Sequence, residues 1–150
     1  MSNSFLELAV IVAAALALLS LGGGLYEFLV VDPFWPKRLD LIQPNRGGIS
    51  RKRFWIPAHT AFELSLIVSL VWAWNNPALR LWLLMALGSH AAMRIWSALD
   101  FIPKALAFEK AASIEEAAAR KWSRRSRFRF PLDLWTCVSL LFAVSIVCRG

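Results

Sequence analysis

The chain has 150 residues, of which 58% are hydrophobic, and it carries a formal net charge of +7. This combination of high apolarity and strong basicity excludes an ordinary water-soluble domain of the same length. The basic residues fall in blocks between long apolar runs, a pattern typical of charges that orient a protein at a membrane surface. We therefore expect a membrane protein and no nucleic-acid partner.

Four apolar runs predict an all-α fold, an integral membrane four-helix bundle that forms one transmembrane domain over residues 1–150. Each run is about as long as a hydrocarbon core of roughly 30 Å requires. The first exceeds a signal-peptide core in length, so we expect it to remain in the mature protein. The segment Asn75-Asn76-Pro77 predicts a tight antiparallel hairpin between the second and third runs. The predicted helices cover 5–31, 56–74, 78–99 and 131–148.

Lysine and arginine are concentrated in the first and third predicted loops, whereas the second loop has only Arg80 and the tail only Arg149. The positive-inside rule places the two basic loops in the cytoplasm. Tryptophans near both ends of the predicted spans favour the same placement. The pattern predicts a multi-pass protein of the inner (plasma) membrane with both termini on the non-cytoplasmic side.

The two basic loops also carry structural signals. In the first, several turn-forming pairs predict a rigid segment that folds back against the inner mouth of the bundle. In the third, Ser113 followed by Glu116 is typical of a capping box and predicts a short cytoplasmic amphipathic helix between helices 3 and 4. Its basic end is expected to contact anionic lipid rather than a specific protein, and a homo-oligomer is compatible with this arrangement. The turn-forming pairs are Asp32-Pro33, Trp35-Pro36, Pro44-Asn45 and Gly47-Gly48.

Five ionisable residues lie inside the predicted spans, where each costs on the order of 2 to 3 kcal/mol if it faces lipid. His59 and Glu63 are spaced i,i+4, as are His90 and Arg94, so each pair occupies one face of its helix. Counted from the cytoplasmic helix ends, both pairs and Glu27 lie within about 14 Å of that surface. These residues therefore predict a polar pocket that opens toward the cytoplasm.

Further polar residues surround the predicted pocket. Tyr26, Ser97 and Asp100 lie near its rim and, with Glu27, are the candidate substrate-binding residues. The triplet Gly22-Gly23-Gly24 would let another backbone or a ligand approach just above Glu27.

Four interpretations of the buried polar residues remain open. The first is a structural ion-pair network within a non-enzymatic scaffold, with Arg94 paired to Glu63 or Glu27. The second is a zinc or iron site formed by Glu27, Glu63 and the two histidines. The third is a haem held by His59 and His90, whose predicted depths differ by about 9 Å.

The fourth interpretation, which we favour, is a pocket for a hydrophobic aromatic small molecule with no cofactor. Its catalytic residues would be His59, Glu63, His90 and Arg94. A histidine or glutamate would act as general base, and the arginine would stabilise a developing oxyanion.

Several short motifs occur in a recognisable order along the chain. The first helix ends in a glycine triplet with Leu-Tyr-Glu and leads through Val-Val-Asp-Pro, and a helical hairpin follows. A Phe-Ile-Pro-Lys segment then precedes a cytoplasmic helix, and a tryptophan and an arginine precede the last span. In this order the chain resembles the anthrone oxygenase-like family of small four-helix membrane proteins. The motifs are Gly22-Gly23-Gly24-Leu25-Tyr26-Glu27, Val30-Val31-Asp32-Pro33, Phe101-Ile102-Pro103-Lys104, Trp122 and Arg129.

The resemblance implies oxidation of a phenolic anthrone-type methylene by dioxygen, which needs a base and an anion stabiliser. From burial and charge, Glu63 or His59 would take the proton and Arg94 would hold the enolate. The chain departs from the family pattern at two positions, with Lys104 where an asparagine is usual and Ser126 where a histidine is usual.

Overall fold

The computed structural model describes residues 2–149, and within that range the helices are joined by turns and loops and there are no strands, so the fold is all-α, as predicted. Four long helices form a bundle, and two short helices lie between the third and the fourth. The helices are α1 (Ser2–Tyr26), α2 (Lys52–Trp72), α3 (Pro77–Trp96), α4 (Ile102–Lys110), α5 (Glu116–Ser126) and α6 (Phe130–Val147).

Three helical runs are long and apolar enough to cross a membrane. They are Ser4–Val31, Lys52–Trp72 and Glu116–Val147, the last of which joins α5 to α6. The helix α3 is not among them, because its 20 residues include two arginines and a histidine. Apolarity thus supports three of the four predicted spans.

The bundle core combines small residues, which predominate on α1 and α6, with larger ones that come mainly from α2 and α3. Val10, Ala13 and Ala17 are buried on α1, which lets the adjacent helices approach closely. The hydroxyl of Ser89 on α3 donates to the carbonyl of Leu132 on α6 at 2.8 Å, which links those two helices.

The predicted hairpin between α2 and α3 is present. The side chain of Asn76 accepts a hydrogen bond from the backbone N–H of Leu79, and Pro77 occupies the first turn of α3. An amide cap followed by proline is a strong start signal for a helix. These two residues therefore set the position at which α3 begins after the turn.

At the opposite end of the bundle, two helices change geometry. The chain continues beyond α1 as a π-helical turn, Glu27–Val31, and beyond α3 as a second one, Ser97–Phe101. Such wide turns re-aim side chains and occur frequently at functional sites. The helix α2 begins at Lys52, earlier than the predicted limit of 56.

A second, smaller core covers this end of the bundle. Trp35 and Ile42 from the first loop are buried with Ala119 of α5, and Phe108 and Trp122 pack around them. We call residues 32–51 together with α4 and α5 the cap. It confirms that the first loop folds back over the bundle.

One side chain ties the first loop to α4. The amide nitrogen of Gln43 donates to the carbonyls of Phe108, at 3.3 Å, and of Ala111, at 2.7 Å. These bonds join two segments that lie far apart in the sequence.

The predicted capping box at Ser113 is wrong. The helix α5 begins at Glu116 with Glu115 as its N-cap, and no side chain caps it. Ile114 packs on the core of the cap, which holds the preceding chain in a non-helical conformation. Glu116 pairs instead with Arg120, one turn later.

Candidate functional site

A cleft of about 500 Å³ lies between the cap and the bundle, at the end where α1 and α3 finish and α2 and α6 begin. Its volume falls in the range of small-molecule pockets. Aromatic and aliphatic side chains form most of its wall, and several charged groups converge on it. The aromatic wall consists of Phe28, Trp55, Phe101, Trp122 and Phe130.

Glu63 joins α2 to α3 through a shared oxygen. Its Oε1 lies 3.0 Å from Nε of Arg94 and 3.2 Å from Nε2 of His90. Arg94 therefore pairs with Glu63 and not with Glu27, and the polar network that the sequence predicts on these helices is present. Arg94 lines the cleft, whereas Glu63 and His90 do not.

His59 lies beside this network. Its ring stacks on Trp55 with centroids 5.2 Å apart, and it lies 5.7 Å from the ring of His90. The predicted difference of depth between the two histidines is wrong, because their rings are direct neighbours. The start of α2 at Lys52 instead of residue 56 accounts for about 6 Å of the error. Depth therefore does not oppose a haem shared by the two rings.

Glu27 is held by the wall of the cleft. Its carboxylate accepts a hydrogen bond from the Trp55 indole at 3.0 Å and one from Arg51 at 3.2 Å. The Arg51 guanidinium lies near the rings of Trp35 and Trp122, 6.0 and 5.7 Å from their centroids. Glu27 thus joins the end of α1 to the start of α2.

The rim residues behave differently from one another. Ser97 lines the cleft, but Tyr26 is 60% exposed and points elsewhere, and Asp100 pairs with Lys104 and Arg125 outside the cleft. The structure therefore does not bring Tyr26 and Asp100 into the site.

The glycine triplet accommodates aromatic side chains of α2. A Cβ at Gly23 would lie 2.4 Å from the Phe54 ring, and one at Gly24 would lie 3.9 Å from Trp55. No atom lies within 4 Å of such a Cβ at Gly22. The close approach expected at the triplet is thus made by side chains, chiefly at Gly23.

Arg129 is the main cleft residue that the sequence reading did not place in the site. Its Nη1 donates to Ser97 Oγ at 2.6 Å, its Nε donates to the Ser126 carbonyl at 3.3 Å, and its guanidinium lies 4.4 Å from the Phe101 ring centroid. In the part of the chain that the structure describes, no carboxylate lies within salt-bridge distance of it. Asp133 and Glu27 act on it electrostatically without a direct ion pair, so the guanidinium remains available to contact an anion in the cleft.

Asp133 lies one turn beyond Arg129 and also lines the cleft. Among residues 2–149 no side-chain hydrogen bond to its carboxylate is found. Arg129 and Asp133 are spaced i,i+4 at the start of the last span, which places them on the same side of the chain.

Asp32 lies on the cap side of the cleft and is 7% exposed. Burial raises the pKa of its carboxyl from 3.8 to about 6, although the hydrogen bond from the Trp35 indole at 3.0 Å acts in the opposite direction. This carboxyl therefore changes charge near neutral pH.

The short motifs on which the family resemblance rests each contribute at least one residue to the lining of the cleft. These residues include Glu27, Asp32, Phe101, Trp122 and Arg129. Over residues 2–149, no group of three or more histidine, cysteine, aspartate or glutamate residues is placed to hold a metal ion. Comparisons with protein-family models, curated proteins and solved structures found no match to this chain.

Proposed function

We propose that this chain is an integral inner-membrane protein with four transmembrane helices and with the cap in the cytoplasm. Three helical runs have the necessary length and apolarity. The fourth span would be α3, whose Arg94 is paired with Glu63 and whose Arg80 lies in its first turn beside Trp74. Charges at helix ends or in pairs are the kind that a membrane helix tolerates.

The proposed orientation follows from the distribution of charge. The cap contains most of the lysines and arginines, so the positive-inside rule places it in the cytoplasm and both termini on the other side. Its exposed basic residues, including those at the end of α5, would contact anionic lipid headgroups.

The cleft is the proposed binding site for a hydrophobic aromatic molecule that carries an acidic hydroxyl or enol. Five aromatic side chains supply surfaces for stacking, and Arg129 supplies a positive charge that forms no salt bridge with a carboxylate of the described chain. An unpaired guanidinium in an aromatic cleft is the observation on which this proposal rests.

The proposed reaction is oxidation of an activated methylene by dioxygen. His59 takes a proton from the methylene, and the resulting enolate oxygen is held by Arg129. Arg94 already engages Glu63 through Nε, so Arg129 is the better candidate for this role. The methylene becomes a carbonyl, and the second oxygen atom leaves as water with the two hydrogens.

The test uses the purified full chain in lipid nanodiscs with anthrone as the probe. Oxygen uptake and the absorbance of anthraquinone report turnover. Arg129→Gln should lower kcat/KM at least 100-fold, because it removes the charge that holds the enolate. Arg124→Gln, on the exposed face of α5, is the matched control and should retain wild-type turnover.

Two results would contradict the proposal. A wild-type protein that neither binds nor oxidises anthrone would exclude this substrate class, and an Arg129→Gln variant as active as the wild type would exclude the assigned role. A stoichiometric metal, or a haem band in the absorption spectrum of the purified protein, would favour the metal or haem alternatives.

A second candidate function is a non-enzymatic membrane scaffold. The observation that favours it is the Glu63 carboxylate, which bridges Arg94 and His90 as a structural network would. Replacing both His59 and His90 with glutamine distinguishes the two. In a scaffold, the double variant would keep the fold and its affinity for anthrone would equal that of the wild type. In a functional pocket, the double variant would no longer bind anthrone.

A further inference from the structure

A second, much smaller cavity adjoins the cleft on the side of the bundle core. Its volume is about 10 Å³, and its polar lining comes from Ser20 of α1, His59 of α2, and Asp133 and Thr136 of α6. We call this cavity the chamber. Ser20, His59 and Asp133 also line the cleft, so these three residues separate the two spaces.

Two of these residues carry buried polar atoms that the described chain does not satisfy. Ser20 Oγ and His59 Nδ1 have essentially no accessible surface and no hydrogen-bond partner among residues 2–149. Buried polar atoms are nearly always hydrogen-bonded, to protein or to ordered water. A partner for both atoms is therefore expected inside the chamber.

The chamber also offers acceptors. Thr136 Oγ1 donates to the Leu132 carbonyl at 2.9 Å, which leaves its lone pairs free. The Asp133 carboxylate has no side-chain partner in the described range. One water molecule needs a volume of about 10 to 15 Å³ and two to four polar partners, and the chamber provides both.

We propose that the chamber binds one ordered water molecule, which links His59 Nδ1 to Asp133 and carries the substrate proton from the imidazole to that carboxylate. This inference rests on the proposed function. His59 accepts the substrate proton at Nε2, its Nδ1 proton passes to the water, and the water passes a proton to the Asp133 carboxylate. One proton enters and one leaves, so the imidazole ends neutral.

In this scheme Asp133 and Ser20 are positioning residues that act through His59. The charged or titratable groups that face His59 are Glu63, His90 and Arg94, with Arg129 farther away and Asp133 across the chamber. Arg129 is the charge that faces Asp133. The proposed proton path therefore lies close to two positive side chains, Arg94 and Arg129, as well as to Glu63.

The first arm of the test is a high-resolution crystal structure of the full chain grown in a lipid mesophase. The wild type should show one water within about 3.2 Å of both Ser20 Oγ and His59 Nδ1. Ser20→Val should displace it, because the added methyl groups occupy the chamber. Ser139→Ala is the control. Like Ser20, Ser139 of α6 has a buried hydroxyl without a hydrogen-bond partner in the described chain, but it does not line the chamber, so the water should remain.

The second arm is the pH profile of anthrone oxidation. Asp133→Asn should lower kcat at least tenfold, leave KM within twofold and move the acidic limb of the profile to lower pH, because a negative charge near the imidazole is lost. An unchanged profile would overturn the proton path. A wild-type crystal structure without a water bonded to both Ser20 Oγ and His59 Nδ1 would overturn the proposed water site. The crystallographic arm gives this answer even if anthrone is not a substrate.

Discussion

The carboxylate of Glu63 on α2 lies 3.0 Å from the guanidinium of Arg94 on α3, at a level where the bundle is proposed to meet lipid. Both side chains are more than a third exposed, so water would screen the pair if the helices were solvated. Next to hydrocarbon, either charge alone would be costly.

Glu63→Gln should therefore destabilise the protein by about 2 kcal/mol, because it leaves a cation unpaired. The double variant with Arg94→Gln should cost less than the sum of the single changes, with a coupling free energy above about 1 kcal/mol. Unfolding of the protein in bicelles measures both.

The matched control is the exposed pair Glu116 and Arg120 on α5. Single and double substitutions of this pair by glutamine should give a coupling free energy below about 0.5 kcal/mol. Equal coupling at the two sites would argue against a lipid-facing position for Glu63.

Asp32 should make stability depend on pH. Burial raises the pKa of Asp32 to about 6 in the folded protein, above the ordinary 3.8, so the folded state binds this proton more tightly than the unfolded chain. The stabilising contribution is fully present below about pH 4 and is lost as pH rises through 6. About two pKa units at 1.36 kcal/mol each give an upper limit of about 3 kcal/mol.

Asp32→Asn keeps an acceptor for the Trp35 indole and removes the titration. The variant should gain stability relative to wild type between pH 4 and 7.5. Asp40→Asn is the control with the opposite sign, because the Arg38 hydrogen bond lowers the pKa of Asp40 and holds the charged form in place. Thermal unfolding at several pH values measures both, and parallel curves for Asp32→Asn and wild type would show that this carboxyl is not buried.

Gly48 should tolerate no side chain. A Cβ there would lie 2.1 Å from the backbone carbonyl of Asp40, which cannot move without opening the first loop. Gly48→Ala should lower the free energy of unfolding by at least about 2 kcal/mol. Gly22→Ala meets no atom within 4 Å in a helix and should raise it by roughly 0.5 kcal/mol. Similar values for the two variants would contradict the packing of the cap.

The membrane orientation can be measured with single cysteines in a Cys148→Ser background, since Cys137 is buried. In right-side-out vesicles an impermeant maleimide should label Asn75→Cys in the hairpin. Asn45→Cys and Lys121→Cys in the cap should react only after permeabilisation. Labelling of the two cap positions in intact vesicles would reverse the orientation.

The helices, the hairpin and the folded first loop were predictable because apolar runs and turn residues act locally. The pairing of Arg94 with Glu63 was one of two alternatives, since spacing predicts that both face inward. That expectation holds only in part, because both side chains are more than a third exposed. Depth was not predictable, because apolarity does not fix where a helix begins, and α2 starts in the basic segment at Lys52.

Asp133 was expected at the inner rim, and it lines the cleft. Arg129 was missed because it stands in a run of basic residues that sets orientation, and the sequence does not show which arginine of such a run enters the cleft. Its position depends on Ser97 and Phe101, which come from a distant turn. Tertiary contacts of this kind have no periodic signature in the chain.

The helical run from Glu116 to Val147 passes from the surface of the cap into the bundle and carries Arg129 part-way along. If the cap contacts lipid as proposed, a tilt of the outer end of this run would also displace the guanidinium of Arg129, so the composition of the bilayer would influence the shape of the cleft.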